Sequence, residues 1–272
     1  MITLQSKDKP ITLKVKENNI TLSSSNGKIS NIPPIANWNL NEISGDAIDS
    51  QENYNGTVVG CTQGIGGKIN TCYNFDDDNI IGNYILLNSN PFTFCAWVRY
   101  TIKPDGDDGH TIFTPNWNYS GNRGYGWQIT HSDGAQGKQR LYMGNSSVTS
   151  ETNVPDGEWH HVAVVHTGSQ VIFYLDGVED GTTTQSLRND NTIGYFHIGK
   201  ESSSSGWRDY KGLIDNLIIY RFALNQEQID LIYNSGTGTE LSNISYGGSS
   251  IILKTKENNI ILKSKDKNIK LQ

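Results

Sequence analysis

The sequence predicts an all-β protein: an antiparallel β-sandwich of the jelly-roll type with one short C-terminal helix. Two observations predict this fold. Aromatic and β-branched residues, which strands favour, are concentrated in segments 92–100, 159–166 and 171–175. Turn signals recur along the chain, and the pair Asp176-Gly177 between two strand runs is a strong hairpin signal. Many short strands with frequent turns favour a sandwich or jelly roll.

The two ends of the chain carry a nine-residue repeat. From residue 2 the units read ITLQSKDKP, ITLKVKENN and ITLSSSNGK, and from residue 251 they read IILKTKENN, IILKSKDKN and IKLQ. Ile and Leu two positions apart lie on one face of a strand, and the Asn- and Asp-rich remainder suits a tight turn. Each unit is therefore predicted to form a short strand and a turn. Disordered tails are the alternative, which the regular Ile and Leu spacing disfavours.

A single strand of this repeat buries only two large side chains, so a few such strands are marginally stable alone. We expect the strands of the two ends to join into one small module, or to pack against copies in neighbouring subunits. The predicted domains are a β-repeat platform formed by residues 1–30 and 241–272, with a jelly roll at 31–240 inserted in it. The platform segments are the expected contacts to a homo-oligomer or to virion neighbours.

The net charge of −6 is unevenly distributed. Residues 1–30 carry +3 and residues 241–272 carry +4, which leaves −13 for residues 31–240. The basic ends contain no Arg, and their Lys residues alternate with Ile and Leu. This spacing indicates a solvated strand surface, and we expect no nucleic-acid partner.

Composition also bears on localisation. No run of about 18 apolar residues occurs, so no membrane insertion is expected. The N-terminal stretch MITLQSKDKP lacks the apolar core of a signal peptide. The three cysteines are expected to be buried thiols, with a Cys61–Cys72 bridge as the alternative.

One helix is predicted in the segment LNQEQIDLIYNSG. Asn225 suits the N-cap, with Gln228 completing a capping box. Leu224 and Ile229 occupy the positions of a hydrophobic staple, and Gly236 is the predicted stop.

Five segments of the middle region carry a family resemblance. They are WNLNEISGDAIDSQENYNG at 38–56, GIGGKINTCYNFDDD at 64–78, FTFCAWV at 92–98, DGEWHHVAVVHTGSQVIFYLDGV at 156–178 and GLIDNLIIYRFALNQEQIDLIY at 212–233. Together they resemble the laminin-G-like jelly roll of the concanavalin A-like lectin/glucanase superfamily, over residues from about 35 to about 236. The resemblance implies two curved antiparallel sheets of about six or seven strands each, with adjacent chain ends.

The superfamily includes glycoside hydrolases, whose retaining members need two carboxylates about 5–5.5 Å apart. No acidic pattern of the ExDxxE type occurs, and the acidic residues 76–78 are consecutive and indicate a loop. His160 and His161 follow Trp159 on a predicted strand, so their rings face opposite ways and a structural role is favoured. We therefore expect a protein that is not an enzyme.

The resemblance also implies a structural Ca²⁺, which needs six to eight oxygen ligands. Asp215 in GLIDNL matches a recurrent acidic position of the family, and Asp49 and Asn53 lie in the family's early loop. Segment 105–109, DGDDG, is a second candidate that departs from EF-hand spacing. Hydrated acidic turns are the alternative for all of them.

A sugar site would combine an aromatic face with planar hydrogen-bonding partners. Segments 115–128 and 202–210 concentrate both residue types in predicted loops. The candidate carbohydrate-binding residues are Trp117, Tyr119, Arg123, Tyr125, Trp207, Arg208 and Tyr210. Packing of most of these rings into the rim of the sandwich is the alternative.

The sequence therefore predicts a non-enzymatic binding protein whose lectin-like jelly roll recognises a cell-surface glycan or protein. The terminal repeats and the absence of a visible signal peptide favour a phage virion component, such as a tail, fibre or capsid-decoration protein. A secreted or cell-surface bacterial carbohydrate-binding protein is the second hypothesis, and a glycoside hydrolase is the third. The expected location is a virion or an extracellular surface.

Overall fold

The protein is described by a computed structural model. It describes residues 2–5, 10–13, 33–87, 90–101, 109–117, 124–131, 137–187, 194–201, 208–241, 250–254 and 259–263. The chain divides into two compact units, of which one comprises Met1–Asn31 and Ile244–Gln272, and the other comprises Ile32–Asn243.

The described part of the chain consists mainly of strands. They are β1 (Ile2–Gln5), β2 (Pro10–Leu13), β3 (Ala36–Trp38), β4 (Thr57–Val59), β5 (Thr62–Gly66), β6 (Thr71–Asp76), β7 (Asn79–Asn83), β8 (Phe92–Tyr100), β9 (Gly109–Trp117), β10 (Tyr125–Thr130), β11 (Lys138–Met143), β12 (Ser146–Asn153), β13 (His160–His166), β14 (Gln170–Leu175), β15 (Val178–Thr184), β16 (Tyr195–Ile198), β17 (Lys211–Tyr220), β18 (Ser250–Lys254) and β19 (Asn259–Lys263). The helix α1 spans Gln226–Tyr233, and a short 3₁₀ turn spans Asn234–Gly236.

The terminal repeats form two antiparallel hairpins. Strands β1 and β2 pair with Ile2 opposite Leu13, and strands β18 and β19 pair with Ile251 opposite Leu262. Each hairpin joins the Ile-x-Leu segments of two successive nine-residue units, so the strands predicted there are confirmed. The joining of both ends into one platform stays a prediction, and the third N-terminal unit lies outside the described residues.

The larger unit is a sandwich of two antiparallel sheets, as predicted. Among the described residues, one sheet has seven strands in the order β12-β11-β10-β9-β16-β7-β4. The other has eight: the path β15-β14-β13-β8-β17-β6-β5, with β3 also pairing with β17. The first and last segments of this unit meet, because Asn37 Nδ2 donates to the Leu241 carbonyl oxygen at 3.3 Å.

The space between the sheets is filled by aromatic and aliphatic side chains on alternating strand positions. Phe94 of the eight-stranded sheet contacts Phe113 and Trp127 of the seven-stranded sheet, with ring centroids 5.2 and 6.2 Å apart. Trp38 contacts Phe196 in the same way at 5.0 Å. Successive strand side chains point to opposite faces, so this core uses only half of each strand.

A second apolar layer lies on the outer face of the eight-stranded sheet, where helix α1 packs. Ile229 and Ile232 of the helix are buried, and Tyr233 stacks on Trp97 with 5.7 Å between ring centroids. Strand β8 is therefore buried on both faces, and of its nine residues only Arg99 is exposed.

The helix begins as predicted and ends earlier than predicted. The Asn225 side chain accepts from the Gln228 amide at 3.0 Å, and the Gln228 side chain accepts from the Asn225 amide at 2.9 Å, which confirms the capping box. The predicted stop at Gly236 is wrong, because Asn234 already adopts the left-handed conformation (φ 50°) at the C-cap. Asn tolerates that conformation better than most residues with a side chain.

The predicted hairpin at Asp176-Gly177 is confirmed, with positive φ angles of 49° and 80°. The Asp176 carboxylate holds this turn against β13: it accepts from the His161 amide at 2.9 Å, and its other oxygen lies 2.7 Å from His160 Nδ1. The side chain of His161 is buried on the other side of the strand, against Trp97. These contacts support the structural interpretation of the His pair.

Asp49 organises the loop before β4. One of its carboxylate oxygens accepts from the amides of Asn37 and Gln51 at 2.7 and 3.0 Å. The other accepts from the amides of Asn53 and Tyr54 at 3.1 and 3.0 Å. A carboxylate has about four lone-pair positions, and backbone donors occupy all of them.

All three cysteines are buried free thiols, so the alternative Cys61–Cys72 bridge is not formed. Burial raises the pKa of Cys61 and of Cys72 to about 12, which keeps both thiols protonated at neutral pH.

Replacing Asp49 with Ala is expected to lower the free energy of unfolding by about 3 kcal/mol, because four backbone donors lose their acceptor. Urea unfolding should give the same loss in EGTA and in calcium chloride, since the carboxylate binds amides. Asp46→Ala, at an exposed position of the same loop, is the matched control and should leave stability nearly unchanged. A loss seen only when calcium is present would give Asp49 a metal-binding role instead.

Acidification is expected to destabilise the fold through its buried histidines. Burial lowers the pKa of His161 to about 4 from 6.5. Between these values the unfolded chain binds more protons than the folded one, so stability is full above pH 6.5 and falls as the pH drops towards 4. Between pH 8 and pH 5, wild type should lose about 2 kcal/mol of stability through His161. The variant His161→Phe should therefore lose about 2 kcal/mol less than wild type over the same pH range.

The measurement is urea unfolding of both proteins at the two pH values. His131→Phe, at a partly exposed histidine, is the control and should keep the wild-type pH dependence. An unchanged pH dependence in the His161 variant would contradict the assignment.

Candidate functional site

The two sheets differ in what their outer faces carry. The outer face of the eight-stranded sheet carries apolar side chains and helix α1. On the seven-stranded sheet, Trp127 and Ile129 of strand β10 point into the core, so Gln128 between them points outward. Leu141 on β11 points inward and Arg140 beside it outward. This outer face is therefore built from polar residues.

Three outward polar residues lie side by side on neighbouring strands. Gln128 on β10 is the register partner of Thr111 on β9 and of Arg140 on β11. A β-bulge beside Trp127 shifts the register so that Thr111 is brought opposite Gln128. We refer to Thr111, Gln128 and Arg140 as the polar row.

The polar row is buried, with exposed fractions of 2% for Thr111, 2% for Gln128 and 9% for Arg140. Thr111 Oγ1, Gln128 Nε2 and Arg140 Nε have no hydrogen-bond partner among the described residues. A buried polar atom without a partner costs about 1–3 kcal/mol, and more when the group is charged. The fold therefore carries three adjacent unpaired groups at a place where an apolar row would be more stable.

An aromatic ring that two guanidinium groups contact flanks the polar row. Tyr142, also outward on β11, lies 5.6 Å from the Arg140 guanidinium carbon and 5.2 Å from that of Arg208, measured to the ring centroid. Arg140 Nη1 also donates to the Tyr142 hydroxyl at 2.9 Å. The Arg208 guanidinium pairs with Glu201 at 2.8 Å. These contacts hold a partly exposed aromatic ring in a fixed orientation.

The segment after β16 brings further charges to this face. The Thr111 amide donates to the Arg208 carbonyl oxygen at 2.9 Å, which fixes this segment beside β9. Lys200 pairs with the buried carboxylate of Asp209 at 2.8 Å. The segment after β16 thus contributes two cations, Arg208 and Lys200, each paired with a carboxylate, Glu201 or Asp209.

Of the predicted carbohydrate-binding residues, the structure places Arg208 on this face and corrects two others. Tyr125 is 1% exposed and Tyr210 is 0% exposed, and both belong to the core between the sheets. Tyr125 packs edge-on against Phe92 at 4.9 Å, and the Tyr210 hydroxyl donates to the Leu213 carbonyl oxygen at 3.1 Å. Neither ring can stack on a ligand, because each is an inward residue at or beside a strand.

The other predicted residues lie around the same face or outside the described residues. The backbone of Trp117, at the end of β9, is the register partner of Tyr195 on β16, whose side chain is 58% exposed. Tyr119, Arg123 and Trp207 lie outside the described residues.

Sequence reasoning missed the polar row and Tyr142. A signal was present in the segment KQRLYM at 138–143, where Arg140 and Tyr142 alternate with Leu141 and Met143. Such a period of two predicts a strand with one polar face. It does not indicate that Thr111 would become a neighbour, since that depends on the pairing of three strands.

The predicted calcium ligands do not form one site. The Asp49 carboxylate is saturated by amide donors, which present positive rather than negative charge, so it does not fit a Ca²⁺ ligand. The Asn53 amide is one of those donors. Asp215 contacts a different segment, where it accepts from the Ile69 amide at 2.8 Å. Burial raises the pKa of Asp215 to about 7, which also disfavours a permanently charged ligand.

No group of three or more His, Cys, Asp or Glu residues that could hold a metal occurs in the described part of the chain. Most of the segment 105–109 lies outside that part, so a calcium ion there stays a prediction. The helix of the described structure is too short and too polar to cross a membrane.

Comparisons with known proteins agree with this fold. A family model described as the concanavalin A-like lectin/glucanases superfamily matches residues 75–230. The adhesion G-protein coupled receptor V1 of Danio rerio is 30% identical over 171 residues, which cover 59% of this chain. The chain spans about 3% of the length of the curated relatives that it matches.

Two solved structures are similar in fold. One is domain 4 of AbnA, an extracellular arabinanase from Geobacillus stearothermophilus, in complex with arabinotriose. It has a TM-score of 0.55 and 21% identity, covering 76% of this chain and 98% of that chain. The other is the binding domain of Paraclostridial Mosquitocidal Protein 1, with a TM-score of 0.60 and 14% identity, covering 77% of this chain and 53% of that chain.

At these identities the two structures show a common fold alone. The family model, however, matches more than half of the 272 residues, and the matched range includes strands of both sheets. The chain therefore belongs to the concanavalin A-like lectin/glucanases superfamily, as a laminin-G-like sandwich.

Proposed function

We propose that the sandwich is a non-enzymatic carbohydrate-binding module that uses the outer face of its seven-stranded sheet. The observation that carries this proposal is the polar row beside Tyr142: unpaired donors next to a held aromatic ring. Sugars present alternating C–H and hydroxyl groups, so a ring face with convergent hydrogen-bonding groups suits them. The opposite outer face is occupied by helix α1.

The similar structures support a binding role for this fold. Domain 4 of AbnA is a domain of a larger enzyme and was solved with arabinotriose, and the mosquitocidal protein's similar region is its binding domain. Folds of this kind host several functions, so carbohydrate binding is supported by the residues of the face and not by the similarity in fold.

The carboxylates of the face favour binding over catalysis. Glu201 is paired with Arg208 and Asp209 with Lys200, each at 2.8 Å. A glycosidase needs one carboxylic acid with a raised pKa and one free carboxylate around the scissile bond. The glycoside hydrolase alternative predicts release of reducing sugar from polysaccharides, and turnover above background would overturn the non-enzymatic proposal.

We further propose that the module is displayed on a virion or an extracellular surface by its terminal repeats. The two Lys-rich hairpins support this part, because a two-stranded hairpin is marginally stable alone and gains stability by packing on another surface. A phage tail, fibre or capsid-decoration protein is favoured by the repeats, and a secreted bacterial carbohydrate-binding protein is the alternative. The proposed partners are a cell-surface glycan or protein, and neighbouring subunits.

A glycan array tests carbohydrate binding. The full chain should bind a restricted set of glycans, and Tyr142→Ala should weaken that binding by up to about tenfold, since a contact with an aromatic ring face contributes roughly 0.5–1.5 kcal/mol. Leu231→Ala, at an exposed position of helix α1 on the opposite side, is the control and should bind as wild type. Absence of binding to every glycan would leave the fold without the proposed function.

Native mass spectrometry tests the platform. The full chain should form a defined oligomer, and deletion of residues 1–30 should shift it to the monomer, while circular dichroism of the sandwich stays unchanged. A monomer in both cases would remove the proposed display role of the repeats.

A further inference from the structure

We propose that the polar row binds the anionic group of an acidic sugar, so that the ligands of this protein are glycans carrying a carboxylate or a sulfate. This inference rests on the proposed function and narrows it from carbohydrate in general to one chemical class.

Arg140 is a buried cation that no carboxylate in the described part of the chain neutralises. Its side chain is nine-tenths buried, and no carboxylate of the described residues pairs with it. Its contacts are the hydroxyl and the ring of Tyr142, and its Nε has no partner. Burying a charge without a partner is strongly unfavourable, so such a group is expected where a ligand supplies the opposite charge.

The neighbouring cations show that the fold can provide partners here. Arg208 is paired with Glu201 and Lys200 with Asp209, both in the same stretch of chain after β16. Each of these pairs spans 2.8 Å, a distance typical of a charge-assisted hydrogen bond. Arg140 differs from them because no carboxylate of the described residues pairs with it, so a ligand could supply the opposite charge.

The geometry of the row suits a small oxyanion. Thr111, Gln128 and Arg140 are register partners on adjacent strands, which lie about 4.8 Å apart. Gln128 Nε2 and Arg140 Nε are donors, and Thr111 Oγ1 can donate as well. A carboxylate or sulfate accepts from several donors at once, whereas a neutral hydroxyl accepts few bonds and leaves the Arg140 charge uncompensated.

The local charge favours an anion although the surrounding region is acidic. Residues 31–240 carry −13, yet the two carboxylates beside this face, Glu201 and Asp209, are paired with Arg208 and Lys200 and not with Arg140. An anion that reaches the row restores neutrality locally, and the acidic surroundings weaken non-specific attraction of polyanions. The site is therefore expected to select an anionic group that is presented singly on a sugar.

Isothermal titration calorimetry of the full chain with matched sugars tests the inference. The probes are 3′-sialyllactose and 6′-sulfated lactose, with lactose as the neutral match, and glucuronic acid with glucose as a second pair. We expect the Kd of at least one acidic probe to be lower than that of its neutral match by about tenfold or more, because the acidic probe makes one additional charge-assisted contact. The carboxylate and sulfate probes distinguish the two sources of the anion.

Arg140→Gln removes the charge and should abolish the preference, so that the acidic probe and its neutral match bind this variant with similar affinity. Arg99→Gln makes the same substitution at an exposed arginine of the eight-stranded sheet and should keep the preference. Without ligand, Arg140→Gln should melt at or above the wild-type temperature, because it removes an unpaired buried charge. If Arg140 had only a structural role, Arg140→Gln would be less stable than wild type. Its folded fraction would still prefer the acidic probe.

A second variant keeps the test decisive if Arg140→Gln does not fold. Gln128→Met has a similar volume and lacks the donor, so it should reduce acidic-probe binding severalfold. Equal binding of acidic and neutral probes by wild type would overturn the inference and leave the proposed function standing. Absence of binding to any sugar, on the array as well as in the titrations, would overturn both.

Discussion

The structure depends on an asymmetry in what its two sheets bury. The central strand β8 is buried on both faces: Phe94 packs against the opposite sheet, and Trp97 packs under helix α1. This double burial anchors the eight-stranded sheet as the hydrophobic centre of the sandwich. The seven-stranded sheet directs apolar residues such as Trp127 and Leu141 into the core. Its outer face carries polar side chains, of which Thr111, Gln128 and Arg140 are buried.

The polar face is unusual because its residues are buried as well as polar. Ordinary surface polar groups are hydrated, and ordinary buried ones are paired. Thr111, Gln128 and Arg140 each have one buried side-chain atom with no partner among the described residues, whereas Asp49 and Asp176 elsewhere in the fold are held by amide donors. Unsatisfied groups cost stability, and such costs are concentrated at functional sites. This contrast within one domain is the basis for proposing a binding surface on the seven-stranded sheet.

The terminal hairpins are a different kind of structure from the sandwich. Their strands are short, contain Ile and Leu at two-residue spacing and are followed by lysines, and they lack aromatic residues. The sandwich has its own aromatic core, and its first and last segments are joined at Asn37 and Leu241. The proposed ligand recognition and the proposed attachment therefore belong to separate units of one chain.

Local features of the sequence determined much of the fold. The Asp176-Gly177 hairpin, the capping box at Asn225 and the Ile-x-Leu strands of the repeats depend on neighbouring residues, so their patterns were sufficient to predict them. The site was decided only by tertiary structure. Whether Tyr125 faces a ligand or the core, and whether Arg140 meets Thr111, depends on pairing between strands far apart in sequence and on a bulge that shifts one register. A one-residue change of register reverses every side chain of a strand, so no local pattern could settle either point.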